Sequence, residues 1–135
     1  MTDDFNGIFY LIVFIVHFLG YAFYAFQCVF NTKNFLDKYG VDHTGAIMTR
    51  FFGAFFIGST LMAIVILLVG TEGAWPFFVL IFLQNLSAFF IGIYSIKINK
   101  LGVNEKTTIE GIIAPGILTI LSTILIYGLS DKIYI

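Results

Sequence analysis

Four runs free of Asp, Glu, Lys and Arg, namely Phe5–Thr32, Phe51–Thr71, Gly73–Ile96 and Gly111–Ser130, occupy most of the chain. A hydrocarbon core of about 30 Å is crossed by about 20 apolar residues at a rise of ~1.5 Å each. The pattern predicts helices near 7–30, 46–69, 75–96 and 108–129, with short polar connections between them. The expected fold is all-α: one polytopic integral membrane domain over 1–135, with four transmembrane helices in an antiparallel bundle.

Composition narrows the class. Hydrophobic residues make up 59% and charged residues 11%, against about 25% charged in a soluble domain, so too little polar surface exists to clothe a water-exposed globule. A net charge of −1 argues against nucleic acid as a partner, since no basic face replaces phosphate counterions. One cysteine, Cys28, provides neither a disulfide nor a cysteine metal cluster. Asp3 and Asp4 ahead of a long apolar run are unlike a cleavable signal, and the first helix is expected to be retained.

Charge placement orients the chain. The two longer connections carry Lys33, Lys38, Arg50, Lys97, Lys100 and Lys106, whereas the opposite side carries only Lys132. The excess marks those connections as cytoplasmic. The expected location is the cell membrane, multi-pass, with the N- and C-termini on the non-cytoplasmic side.

Local signals set the helix ends. Asn31-Thr32 offers an N-cap for a short interfacial helix over 33–39 that stops at Gly40; an irregular loop is the alternative. Asp42 or Thr44 would cap the second long helix. Thr107-Thr108-Ile109-Glu110 contains a Thr-x-x-Glu capping box for the fourth. A start at Pro115 would leave only about 22 Å of helix, so the helix is expected to begin near Thr108 and bend at Pro115-Gly116.

Helices two and three share the string Ala-Phe-Phe-Ile-Gly, which sets Ala54/Gly58 and Ala88/Gly92 at the small-xxx-small spacing that permits close approach in lipid. A short turn with Gly70 and Gly73 joins them. A tight hairpin of these two helices through the four small residues is therefore expected.

Candidate chemistry lies at mid-depth. His17, on one stripe with Tyr10, Tyr21, Tyr24 and Cys28, is an ionisable group where ionisation is expensive. Ser59, Thr60, Gln84, Asn85, Thr119, Ser122 and Thr123 fall at similar depth on the other helices. This polar layer reads either as interhelical hydrogen bonding or as the lining of a small cavity. His43 lies at the boundary and His17 deep in helix one, so the two cannot face one iron; no cofactor and no metal site are expected.

Near the cytoplasmic boundary, Arg50, Glu110, Asp42 and His43 form a charge cluster. Arg50 either pairs with a carboxylate, snorkels to lipid phosphate, or grips an anionic group. No intramembrane carboxylate, filter sequence, nucleotide loop or Ser-His-Asp arrangement is present, so no catalytic residue is named.

The stretch Asn34-Phe35-Leu36-Asp37-Lys38-Tyr39-Gly40, followed by Arg50-Phe51-Phe52-Gly53-Ala54-Phe55-Phe56-Ile57-Gly58, resembles the small four-helix membrane proteins of the DoxX-like kind. That resemblance implies a short amphipathic loop ending in Gly, then Arg ahead of a glycine-rich second helix. It implies no catalytic position.

Three functions fit these residues. The favoured one is a non-catalytic accessory or assembly subunit of a larger membrane complex, with the lipid bilayer and other membrane subunits, or further copies of this chain, as partners. The second is a small oligomeric transporter or channel lined by the polar layer. The third is a membrane redox or lipid-binding protein using His17.

Overall fold

The computed structural model describes residues 1–135 and contains six helices and no strand. These are α1 (Ile8–Val29), α2 (Thr32–Lys38), α3 (Ala46–Val69), α4 (Trp75–Ile93), α5 (Glu110–Gly128) and α6 (Ser130–Ile133). Four of them, α1, α3, α4 and α5, are long and apolar enough to cross a membrane.

The local reasons are mixed. Gly7 at φ 108° and Gly70 at φ 99° end the chain's turns at α1 and α3 without strain. Pro76 sits in the first turn of α4, where no N–H is needed. Asp42 accepts a hydrogen bond from the Thr44 N–H and opens a single 3₁₀ turn, His43–Gly45, that feeds α3. The last turn of α4 widens into a π-turn, Tyr94–Asn99. Helix α5 starts at Glu110, and the Thr108 hydroxyl accepts from the Glu110 N–H at 3.3 Å. The expected Thr107–Glu110 capping box is therefore not made in either direction: the Thr107 hydroxyl accepts from the Asn104 N–H, and the Glu110 carboxylate is engaged elsewhere.

The long helices pack in series: α3 on α1, α1 on α5, and α5 on α4. Eight of the 22 buried residues lie on α1, which makes it the central helix. An aromatic ladder runs along it, with Phe14–Phe18 centroids 4.7 Å apart and Phe18 stacked on Phe77 of α4 at 5.5 Å. Such pairs contribute about 0.5–1.5 kcal/mol each beyond area burial.

The expected tight hairpin of α3 and α4 is not formed, which corrects the reading of Ala54, Gly58, Ala88 and Gly92. Each helix spends its glycine on another neighbour. A Cβ on Gly53 would lie 2.6 Å from Val29 Cγ2 and 2.7 Å from Cys28 Cβ, so Gly53 is where α3 closes on α1. A Cβ on Gly92 would collide with the Gly111 carbonyl of α5. Pro115 explains that contact: it has no N–H to offer the carbonyl four residues earlier, Gly111, and the α4 backbone closes over the freed oxygen. Around Gly58 a Cβ would meet nothing within 4 Å.

The helix ends are tied by polar contacts. Asn6 donates to the Gly128 carbonyl at 2.9 Å and to Asp131 at 2.5 Å, and Thr71 donates to the Asp4 carbonyl. Phe5, Leu129 and Ile133 are fully buried beneath them. At the other end Asn104 donates to the Gly40 carbonyl at 2.9 Å, and Lys106 to that of Asp37 at 3.2 Å.

Candidate functional site

Because α3 and α4 are the two free ends of the helix series, a cleft of about 490 Å³ opens between them. Two stripes at i, i+3, i+4, i+7 spacing form its walls: Phe52, Phe55, Phe56 and Ser59 on α3, and Gln84, Ser87, Ala88 and Ile91 on α4. Tyr21 of α1 and Asn85 of α4 lie at its inner side. Most of the lining is apolar, and no lining residue is charged.

Behind the cleft sits a buried polar triad. The Tyr21 hydroxyl donates to Asn85 Oδ1 at 2.6 Å. The Asn85 amide nitrogen donates to His17 Nε2 at 2.9 Å and to the Leu118 carbonyl at 3.3 Å. That carbonyl fixes the amide orientation, since the flipped amide would set oxygen against oxygen. Nε2 of His17 is then an acceptor, and the neutral ring carries its proton on Nδ1. His17 is fully buried, and Nδ1 has no partner. The triad thus joins α1, α4 and α5, and leaves one stranded N–H that costs about 1–3 kcal/mol.

The remaining members of the expected polar layer separate into two groups. Thr60 donates to the Phe56 carbonyl, Thr119 to Pro115, Ser122 to Leu118 and Thr123 to Thr119, all at 2.7–2.8 Å. These hydroxyls satisfy themselves on their own helices, and none of them lines the cleft. Ser59 and Gln84, on the walls of the cleft, make no side-chain hydrogen bond within the chain; nor does Ser87 beside them, which the sequence reading did not single out.

Tyr24 does not belong to the layer. Its hydroxyl donates to Glu110 Oε1 at 2.8 Å, and the Tyr39 hydroxyl donates to Glu110 Oε2. Lys38 lies 3.5 Å from the same carboxylate. Burial, and then the bond to Glu110, raise the Tyr39 phenol above its usual range. This cluster links α1, the α2 connection and α5, and the sequence offered no signal for it beyond two tyrosines and a glutamate far apart in the chain.

The four boundary charges are not one cluster. Arg50 is exposed, with Nε donating to the Thr32 hydroxyl at 3.3 Å, and forms no ion pair with Glu110 or Asp42. His43 lies 2.6 Å from Asp37, a contact that holds the Asp37 carboxyl below its ordinary range. Asp42 is lowered by the Thr44 N–H. Glu110 is held by the two tyrosines and Lys38, and Arg50 stays at the surface.

Comparison with protein-family models, with curated proteins and with solved structures returns no match. The site is therefore argued from its own geometry.

Proposed function

We propose that this chain is a non-catalytic, multi-pass membrane protein that binds a lipid-soluble molecule in the cleft between α3 and α4. The observation that carries it is the pairing of an uncharged, mainly apolar slot with unpartnered hydrogen-bonding side chains on its walls. In this reading the helices alternate in direction and both termini face the non-cytoplasmic side. The charge asymmetry supports that orientation, as do the contacts joining the N-terminal tail, the 70–73 turn and the C-terminal tail.

Size fits a small ligand. Ligand sites run about 300–1,000 Å³, and the cleft of about 490 Å³ falls inside that range. A channel is disfavoured because Thr60, Thr119, Ser122 and Thr123 are satisfied by their own helices. Redox ligation by His17 is disfavoured because its ring is sealed and Nε2 is already bonded.

Native mass spectrometry of protein in native-membrane nanodiscs tests this reading. A lipid-sized adduct is expected on the wild type and is expected to disappear in Ala88→Trp, which fills the cleft. A stoichiometric protein subunit with no such adduct would replace this reading with the accessory-subunit one.

A further inference from the structure

Resting on the cleft as the binding site, we infer the chemistry of its occupant: a neutral lipid whose head is an uncharged hydroxyl or carbonyl group. Three features carry the inference. The first is depth. Gln84 lies nine residues into α4 from Trp75, and Ser59 ten residues from Val69, about 14–15 Å along each axis and so close to the middle of a crossing.

The second is charge. None of the lining residues is ionised, and the charged groups of the chain collect at the helix ends and connections, as with Lys38–Glu110 and His43–Asp37. A phosphate, carboxylate or ammonium head at that depth would have no counter-charge, which the membrane interior penalises heavily.

The third is hydrogen-bond capacity. Hydroxyls on serines and threonines in transmembrane helices commonly bond back to the carbonyl one turn earlier, and Thr60, Thr119, Ser122 and Thr123 do so here. Ser59 and Ser87 do not, and Gln84 keeps both its carbonyl and its amide free. Polar groups in hydrocarbon require a partner. Two hydroxyls and one amide present donors and acceptors together, which matches a carbonyl or a hydroxyl head and gives no preference to a charged one. Phe52, Phe55, Phe56 and Ile91 then contact the apolar tail.

The test uses the full-length protein in nanodiscs with four photoactivatable probes: a diacylglycerol, an isoprenoid quinone, a phosphatidylcholine and a phosphatidylglycerol. Crosslinked peptides are mapped by mass spectrometry. One or both neutral probes are expected to label Phe52–Ser59 and Leu83–Ile91, and the two arms tell an acylglycerol from an isoprenoid. In Gln84→Leu with Ser87→Ala, labelling is expected to fall about tenfold, as for two interhelical-strength hydrogen bonds. Both positions are exposed, so the variant keeps its fold, checked by unchanged thermal unfolding. Equal cleft labelling by the phospholipids overturns the neutral-head inference and leaves cleft binding standing. Labelling confined to the outer helix surfaces with all four probes overturns both.

Discussion

Asn85→Leu removes the one side chain that holds three helices together at mid-depth. Asn85 makes three hydrogen bonds, to Tyr21, His17 and the Leu118 carbonyl. At the roughly 0.6 kcal/mol average for side-chain bonds between transmembrane helices, their loss costs about 2 kcal/mol. The variant also strands a buried Tyr21 hydroxyl and His17 Nε2, each worth about 1–3 kcal/mol if nothing rescues it, so about 8 kcal/mol bounds the loss from above. His17→Leu should be far milder. It loses a single bond and removes the unpartnered Nδ1, so the two effects oppose each other. The assay is reversible unfolding in mixed detergent micelles for the wild type, each single variant, Tyr21→Phe and the Asn85/Tyr21 double variant. A coupling energy of at least about 0.5 kcal/mol between Asn85 and Tyr21 is expected. Strict additivity, or His17→Leu costing as much as Asn85→Leu, would refute the triad as drawn.

Other expectations follow from the close contacts and the Glu110 cluster. Gly92→Ala should destabilise by about 1–3 kcal/mol, as overpacking does, because its methyl meets the Gly111 carbonyl. Gly58→Ala should be neutral or gain about 0.5–1 kcal/mol, since it meets nothing and Ala is the better helix former; thermal unfolding of both in one detergent checks the contrast. Glu110→Ala should cost about 1.5–3 kcal/mol, the range for hydrogen bonds to a charged group, while Lys38→Met should cost under about 1 kcal/mol because that pair is half exposed. The Tyr39 phenol is raised above its usual 10.0. Its contribution is therefore complete below pH 10 and lost as pH rises through the higher folded value. An alkaline titration of tyrosinate absorbance against unfolding should show a smaller loss in Tyr39→Phe than in the wild type.

The apolar runs made four helices long enough to cross a membrane legible, since only a continuous helix satisfies the backbone in hydrocarbon. His17 and Asn85 were both readable as mid-depth polar groups. Partner choice was not. The shared Ala-Phe-Phe-Ile-Gly string marks close approach at only one of its two copies, and Gly53, where α3 closes on α1, lies just outside it. Gly53 meets α1, Gly92 meets α5, and Gly58 meets nothing. What meets Gly92 is the Gly111 carbonyl that Pro115 leaves without its N–H, on the helix that follows. Glu110 was read as a helix cap because its spacing from Thr107 and Thr108 invites that. Two phenols from α1 and the α2 connection outcompete the local backbone, a three-body arrangement that spacing alone does not encode.

The separation of the triad along the chain bears on how the protein is made. His17 and its Asn85 partner are 68 residues apart. At roughly 5–20 residues per second of synthesis, α1 is exposed for about 3–14 s before α4 emerges. During that interval the central helix carries an imidazole and a phenol whose shared partner has not yet been made. In a chain folded in order of synthesis, the central helix would therefore have to wait for α4 before its two buried polar groups find their common partner.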